Sequence, residues 1–383
     1  MKRLNNAVLT AAAVAAAACA ENPTASPDSS PSPSSSVTAA TGSLYTATNG
    51  AAGNEVLSYR IEADGSLTFD GAAATGGAGT GAGLGNQGGV VLSDNGRWLF
   101  AVNAGSDEVS VFARRPDGSL TRTDVVGSGG STPISVTQSG SLLYVLNRGG
   151  DGGIAGFRLS AHGTLSMIPG SQQGLSQAGG VDPAQIQFSN DGRWLVVTEK
   201  NTDRIVVYPV APSGDAGTGV VNHSHGATPF GFAFDHAGRL IVSNAAGGAA
   251  GAGSVSSYAV AGDGSLHVLD AAVPNFQSAS CWIAISRNGL FAYTTNAATN
   301  NTSGYHIGAR GGLTLLDASG VTAMNSGGPI DAAVTHRGRQ YLYVLNGAAG
   351  AIDAFEVGPD GELAPLGGGV TGLPAGTNGL AAH

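Results

Sequence analysis

The sequence is poor in the residues that many common chemistries require. Only 11% of its 383 residues are charged, and only two residues, Cys19 and Cys281, are cysteines. A domain that begins after Cys19 therefore has no internal disulfide to form. Lys and Arg number 17 against 26 Asp and Glu, which gives a net charge of −9 without a basic cluster. Because phosphate neutralisation needs a concentrated basic surface, we expect no nucleic-acid partner.

Several signature motifs of enzymes are also missing. The sequence has no G-x-S-x-G elbow, no Cys-His pair and no P-loop. Glycine-rich runs such as residues 76–89 lack the strand and the lysine that a phosphate cradle needs, so we interpret them as loops. We expect no cofactor.

One unit recurs along the chain at a spacing of roughly 50 residues, which is typical of a propeller blade. Its clearest copy, residues 188–210, reads FSNDGRWLVVTEKNTDRIVVYPV. The Asn-Asp-Gly turn and the β-branched and aromatic runs predict strands at residues 194–198 and 204–209 with a polar loop between them. Six further copies begin at Leu44, Ser93, Ser139, His236, Arg287 and Arg337.

The repeat predicts the fold class. Each copy supplies an inner strand, a second strand and two outer strands joined by an x-D-G-x-L hairpin, as at Asp64-Gly65. Radial packing covers the edges of such sheets. We therefore predict an all-β, seven-bladed β-propeller of four-stranded antiparallel blades over residues 43–383. The first copy lacks its inner strand, and residues 378–383, NGLAAH, resemble one. We expect this C-terminal strand to close the ring of a monomer.

The N-terminus predicts export. Lys2 and Arg3 precede an apolar run over residues 7–18, which is too short to span a bilayer but suits a signal peptide within residues 1–20. The predicted location is the periplasm or the cell envelope.

Two processing schemes fit the residues around Cys19. Ala18-Cys19-Ala20 fits a signal peptidase site, whereas residues 16–19 resemble a lipoprotein box that would lipidate Cys19. The Pro/Ser-rich residues 21–42 read as an extended linker, which suits a lipid anchor. Such an anchor is the one membrane contact that we expect.

Candidate site residues follow from where the loops of a propeller converge. Loops after the second strands and loops into the inner strands surround the channel on one face, so we expect a small-molecule ligand there. Six copies end the second strand with asparagine, and one ends it with Glu199. Glu199, Arg204 and Arg148 are therefore the catalytic candidates. Lys200 and Asp203 are candidate ligand-binding residues in the same charged cluster, for which a solvated salt-bridged loop is the alternative interpretation.

Further candidates lie in the loops and on the inner strands. His223 and His225 lie on one side of an extended chain and are candidate ligand-binding residues. No third ligand stands at a fixed spacing from them, so we predict no metal site. Gln185, Trp282 and Asp331 occupy matching inner-strand positions, facing either the channel or the neighbouring blade.

The repeats resemble those of the seven-bladed lactonase family, which includes bacterial 6-phosphogluconolactonases and fungal carboxymuconate cyclases. The similarity covers residues 44–383 through D-G-R-x-L-x-V-x-N and x-D-G-x-L elements. In its most specific part, TEKNTDRIVVY, Glu199 stands for the family's first acid, and Asp203 and Arg204 match outright. The resemblance implies a propeller fold and the hydrolysis of a lactone.

The sequence also departs from the family at three places. Residues 228–231 lack the family's Arg and His, Ala245 stands where a glutamate is expected, and Ala184 replaces a histidine. Those groups are the acid/base and anion-binding side chains that opening a lactone would use.

Two functions from different classes therefore stay open. The first is an exported lactonase-like hydrolase of a sugar-type or other small lactone at the central channel. In it, Glu199 activates water, Arg148 and Arg204 hold an anionic group, and His223 or His225 donates a proton. The alternative is a non-catalytic envelope propeller that binds a small molecule, a polysaccharide or a protein.

Overall fold

A computed structural model describes residues 42–335 and 338–383 of the chain. In these residues seven antiparallel sheets form a ring, and the single helical element is a 3₁₀ turn at Ala246–Gly248. No helix in this part of the chain is long and apolar enough to cross a membrane. The predicted signal peptide, Cys19 and the predicted linker as far as residue 41 lie outside the described residues.

The strands are numbered in chain order, and each blade is given from its first to its last strand along the chain. Blade 1 contains β1 (Gly42–Ala47), β2 (Glu55–Ile61) and β3 (Leu67–Ala74), and blade 2 contains β4 (Val90–Leu92), β5 (Trp98–Asn103), β6 (Glu108–Arg114) and β7 (Leu120–Gly127). Blade 3 contains β8 (Pro133–Ser139), β9 (Leu142–Asn147), β10 (Gly153–Leu159) and β11 (Leu165–Met167). Blade 4 contains β12 (Pro183–Phe188), β13 (Trp194–Glu199), β14 (Arg204–Pro209) and β15 (Val220–His223). Blade 5 contains β16 (Pro229–Phe234), β17 (Leu240–Asn244), β18 (Ser254–Val260) and β19 (Leu266–Pro274). Blade 6 contains β20 (Ser280–Ile285), β21 (Phe291–Asn296), β22 (Asn301–Ile307), β23 (Leu313–Leu315) and β24 (Ala323–Met324). Blade 7 contains β25 (Pro329–Val334), β26 (Tyr341–Asn346), β27 (Ala351–Val357) and β28 (Leu363–Thr371). The last strand, β29 (Asn378–Ala382), belongs to blade 1.

The burial of the strands explains the hydrophobic pattern of the repeat. Second strands such as β5 and β26 are buried along their whole length, because a neighbouring blade covers each face of the sheet. Outer strands such as β3 are largely exposed.

The hairpin between the two outer strands has its glycine in the left-handed region in every blade, with φ between 79° and 91°, at Gly65, Gly118, Gly163, Gly214, Gly264, Gly311 and Gly361.

The C-terminal strand closes the ring as predicted. β29 pairs with β1 in antiparallel register, with Leu44 opposite Ala382, and the His383 amide donates to the Ser43 carbonyl at 2.9 Å. The inner strands of successive blades contact one another all the way round, from β29 through β4, β8, β12, β16, β20 and β25 back to β29. The all-β, seven-bladed fold predicted from the repeat is thereby confirmed.

Buried tyrosines tie adjacent blades together. In four blades a second-strand tyrosine donates its hydroxyl proton to the carbonyl of the outer-hairpin glycine of the next blade. The pairs are Tyr45 with Gly118 at 2.7 Å, Tyr144 with Gly214 at 2.7 Å, Tyr293 with Gly361 at 3.0 Å and Tyr343 with Gly65 at 2.8 Å. A buried hydroxyl needs such a partner, so each bond helps to set the angle between two blades.

Candidate functional site

A cavity of about 560 Å³ runs along the propeller axis and is lined by the inner strands of all seven blades. Its volume falls within the range of small-ligand pockets. Exposed side chains at its rim, Asn190, His236 and Arg287, follow the ends of the inner strands. The cavity therefore opens on the face where the inner strands end.

The opposite face of the channel is covered by residues 84–89, which we call the plug segment. It belongs to the long connection between β3 and β4. The Gln87 amide donates to the Ala184 carbonyl of blade 4 at 3.1 Å, and its side chain Nε2 donates to the Ile283 carbonyl of blade 6 at 2.8 Å. Trp282 donates its indole proton to the Asn86 carbonyl at 2.7 Å. The plug segment thus binds to blades 4 and 6, which flank blade 5.

Gln87 takes the place of a side chain that blade 5 lacks. In blade 4, Gln185 donates to the Phe232 carbonyl at 2.9 Å and accepts from the Phe232 amide at 2.7 Å, which links it to the inner strand of blade 5. The matching residue in blade 5 is Gly231. Gln87 makes the equivalent pair of bonds with Ile283 of blade 6, and a Cβ on Gly231 would lie 2.1 Å from Gln87 Oε1. Gly231 therefore leaves room for the plug segment.

Arg148 and Lys200 hold the plug segment by its carbonyl groups. Arg148 Nη1 donates to the Leu84 carbonyl at 2.8 Å, and Lys200 Nζ donates to the Gly85 carbonyl at 2.7 Å. Lys200 also pairs with Asp182 at 3.1 Å. Burial lowers the pKa of the Lys200 ammonium group, and the Asp182 carboxylate opposes that shift. The structure brings the two candidate site residues Arg148 and Lys200 together on the plug segment, and both donate to its backbone carbonyls.

Aromatic rings pack beneath the Lys200 ammonium group. Lys200 Nζ lies 4.9 Å from the centre of the Phe230 ring, which in turn packs at 4.9 Å from the Trp282 ring. Trp282 is buried, with an exposed fraction of 5%. Next to it, burial raises the pKa of the Cys281 thiol to about 12. Trp282 therefore packs against the plug segment and Phe230.

Glu199 is fully buried and binds a loop. Its Oε1 accepts from the Ser176 amide at 2.8 Å, and its Oε2 accepts from the Ser176 hydroxyl and from the Thr202 hydroxyl, the latter at 2.7 Å. Ser176 lies in the long connection between β11 and β12. A glutamate reaches this connection from the end of β13, which gives a physical reason for Glu199 where the sister blades carry asparagine.

The remaining members of the predicted charged cluster lie around Glu199. Asp203 has a positive φ of 53°, and its Oδ1 accepts from the Thr228 amide at 2.6 Å. Arg204 is half-buried. On β14 it lies opposite Glu199 of β13 and opposite His223 of β15 in the strand pairing. These contacts hold the loop between β13 and β14 against the loop that leads into blade 5.

The two histidines lie on the outer strand of blade 4 and just after it. His223 ends β15 and is exposed, and His225 is exposed with its ring centre 6.0 Å from that of Tyr258. Neither histidine lines the central cavity. Within the described ranges no group of three or more His, Cys, Asp or Glu side chains is placed to hold a metal ion.

Asp331 lies in the wall of the central cavity with only 2% of its surface exposed. Its Oδ1 accepts from the Ala332 amide at 2.8 Å. Among the residues that the structure describes, none of the ion pairs involves Asp331. Desolvation therefore dominates and raises the pKa of this carboxyl to about 8, while hydrogen bonds from the backbone at Ala332 and Leu380 oppose the shift.

The sequence of the chain matches the model of a known protein family. The sequence profile of the lactonase family, described as "Lactonase, 7-bladed beta-propeller", matches residues 54–152 and 153–275, which is more than half of the chain. The chain belongs to the seven-bladed lactonase family. No curated protein sequence gives a significant match.

Solved structures of similar fold support the architecture of this lactonase-family propeller. A 6-phosphogluconolactonase candidate from Bacteroides fragilis NCTC 9343 is 19% identical with a TM-score of 0.69, over 91% of this chain and 99% of that one. The periplasmic gluconolactonase PpgL of Pseudomonas aeruginosa is 20% identical with a TM-score of 0.67, over 88% and 98%. A protein from Lactobacillus plantarum is 18% identical with a TM-score of 0.71, over 90% and 100%. At these identities the likeness shows the shared fold.

Two features of the site escaped the sequence analysis. The sequence predicts a loop at residues 76–89, but it gives neither the course of this loop across the channel nor the pairing of Gln87 with blade 6. One signal was available, since this connection is longer than those at residues 128–132, 224–228 and 275–279. Gly231 was a second signal, because the matching positions in blades 4, 6 and 7 carry a side chain.

Proposed function

We propose that this propeller is an exported hydrolase that opens a small, uncharged, sugar-type lactone in its central cavity. The observation that carries the proposal is the buried Asp331 carboxyl in the wall of a cavity of about 560 Å³ in a chain of the lactonase family. A titratable group with a strongly perturbed pKa in a concave pocket is a candidate for acid/base chemistry.

The chemistry follows from the protonation state of Asp331. With a pKa raised to about 8, the carboxyl is uncharged at neutral pH and can donate a hydrogen bond. Donated to the carbonyl oxygen of a lactone, that bond favours attack of water on the carbonyl carbon. The bond from this carbon to the ring oxygen then breaks, the ring oxygen takes up a proton, and the product is the open-chain hydroxy acid.

The charges of the cavity favour an uncharged substrate. Two of the residues that line the cavity have basic side chains, His236 and Arg287, and both are exposed at the rim. Asp331 lies inside the cavity. An anionic phosphate group inside the cavity would lack a buried cation to offset its desolvation. We therefore expect an unphosphorylated aldonolactone to be preferred over its phosphorylated form. The similar protein from Pseudomonas aeruginosa is named as a periplasmic gluconolactonase, which supports both the substrate class and export.

Hydrolysis of a panel of aldonolactones by the purified chain tests the proposal. Asp331→Asn should lower the rate by roughly 100-fold, because the donor that assists carbonyl attack is altered. Asp353→Asn is the matched control, since Asp353 is a half-buried carboxylate of the same blade that does not line the cavity. The wild-type rate should fall as pH rises through about 8. Equal rates for wild type and Asp331→Asn would reject Asp331, and no hydrolysis of any lactone would reject the activity.

Binding without turnover is a second candidate, and the Glu199 side chain favours it. Both carboxylate oxygens of Glu199 accept hydrogen bonds from Ser176 or Thr202, and Arg148 binds the plug segment, so neither of these catalytic candidates is directed at a ligand. Ligand-dependent thermal stabilisation with no product formed would support this candidate. Loss of hydrolysis in Glu199→Gln with retained folding would restore Glu199 as the catalytic base.

A further inference from the structure

A second cavity, separate from the channel, lies on blade 3 and has a volume of about 410 Å³. The loops that precede β8, join β9 to β10 and follow β11 meet there. It shares no lining residue with the central cavity. Half of its lining residues are glycines, namely Gly129, Gly130, Gly149, Gly152, Gly153 and Gly174. Glycines leave the backbone accessible to a ligand.

Asn147, at the end of β9, lines this cavity with an unsatisfied polar atom. It is only 3% exposed, and its Nδ2 donates to the Ser128 carbonyl at 3.1 Å. Its Oδ1 is buried and has no hydrogen-bond partner among the described residues. A buried acceptor without a partner is unfavourable and calls for an explanation.

Sister blades show what Asn147 lacks. In blade 2, Asn103 donates to the Ser110 hydroxyl at 2.8 Å and accepts from Asn54 at 3.0 Å. In blade 6, Asn296 donates to the Ser303 hydroxyl at 2.8 Å and likewise has its Oδ1 satisfied. Blade 5 repeats the contact between the asparagine and a serine of the third strand. In blades 2 and 6 the protein itself supplies the donor to the asparagine Oδ1, from Asn54 and Ser280 respectively.

Blade 3 has Ala155 at the position of that serine. Asn147 pairs with Gly153, so Ala155 stands two residues further along β10, as Ser110 does beyond the partner of Asn103. Ala155 is fully buried and carries no hydroxyl. Without that serine the Asn147 Nδ2 donates to the Ser128 carbonyl, and the Oδ1 remains an unpartnered acceptor beside the cavity. A molecule that enters the cavity can supply the missing donor.

We propose that the cavity on blade 3 binds a neutral, polyhydroxylated ligand, namely a sugar residue. The geometry favours donors on the ligand, because Asn147 Oδ1 and the Asp151 carboxylate are acceptors. Gln172 and Gln173 each use one amide proton to bind a carbonyl, of Gly129 at 2.8 Å and of Ala216 at 2.9 Å, and each side chain also has an acceptor oxygen.

The lining also argues against charged ligands. No cationic side chain of the described residues lines the cavity, so an anion has no counter-charge there. Its one carboxylate, Asp151, is exposed and screened by solvent, so it adds little for an amine. Sugar hydroxyls match the acceptors, and the C–H face of a sugar ring matches Ile154 and the glycine Cα atoms.

Calorimetric titration of the purified chain with glucose, mannose, N-acetylglucosamine and their oligomers tests this proposal, with putrescine as the amine probe. At least one sugar should bind, and comparison of monomers with oligomers separates a free sugar from the end of a polysaccharide. Asn147→Leu should weaken binding by about tenfold or more, because one buried hydrogen bond is lost. Asn346→Leu is the matched control, since Asn346 also has an unpartnered Oδ1 but does not line this cavity.

Ala155→Ser gives a second test that does not depend on removing a side chain. By analogy with blade 2, the new hydroxyl accepts from Asn147 Nδ2 and leaves Oδ1 available to a ligand. The variant should therefore bind sugar with wild-type affinity, in contrast to Asn147→Leu, which loses the acceptor itself. Binding of putrescine alone, no sugar binding, wild-type affinity in Asn147→Leu, or an equal loss of affinity in both blade 3 variants would overturn the proposal. Lactone hydrolysis is measured in parallel and should be unchanged in both variants, so a failure of this site is distinct from a failure of the proposed activity.

Discussion

Replacing Asp331 by asparagine should change how the stability of the propeller depends on pH. The substitution keeps the shape of the side chain and removes its ionisation. In the folded protein desolvation raises the pKa of the Asp331 carboxyl from 3.8 to about 8, whereas the unfolded chain leaves it near 3.8. Between these two values the unfolded state releases a proton that the folded state retains. The folded protein therefore loses stability as pH rises through this window.

The size of the effect follows from the difference between the two pKa values. Each pH unit inside the window changes the free energy of unfolding by about 1.4 kcal/mol, so the full window corresponds to at most about 6 kcal/mol. Between about pH 5 and pH 7 the wild-type protein should lose about 3 kcal/mol through this one group. The stability contribution is fully present below the unfolded pKa and is lost as pH rises through the folded pKa.

Urea denaturation followed by tryptophan fluorescence, at a series of pH values from about 5 to about 8, measures the difference between the two proteins. Taking that difference removes the contribution of all other titrating groups. Asp331→Asn should become more stable relative to wild type as pH rises, while the exposed Asp360→Asn should follow wild type throughout. If Asp331→Asn and wild type keep the same difference at every pH, the carboxyl is not held in its neutral form and the argument from burial fails.

Three further predictions concern stability. Glu199→Asn should lower the free energy of unfolding by about 2–3 kcal/mol, because the shorter side chain gives up buried hydrogen bonds to the loop after blade 3; urea denaturation measures this, and wild-type stability would contradict it. Gly231→Ala should dislodge the Gln87 side chain, which a new Cβ would approach to 2.1 Å, so hydrogen exchange of residues 84–89 should become faster than in wild type; unchanged exchange would refute the contact. A chain that lacks residues 378–383 should aggregate and melt well below the full chain, because the edge of β1 loses its partner; equal melting temperatures would argue against closure by this strand.

The sequence alone determined the fold, because the information for a propeller is local and repeated. Each blade has its own turn residues, such as Asp64-Gly65 and Asp360-Gly361, and its own buried second strand, so seven similar signals reinforce one another. Ring closure was also predictable. An inner-strand pattern at residues 378–383 matched a first copy that had none, and only one pairing satisfies both ends.

The tertiary structure decided the candidate site, because its contacts join residues that are far apart in the chain. Glu199 stood out by type, but its partner Ser176 lies in a loop whose path no repeat specifies. Gln87 bonds to Ile283, which lies 196 residues further along the chain. Asp331 was one of several inner-strand candidates, and its burial, which sets its pKa, depends on the packing of all seven blades around one axis. Periodicity predicts which positions face the channel, whereas the chemistry at each position depends on neighbours that only the closed ring brings together.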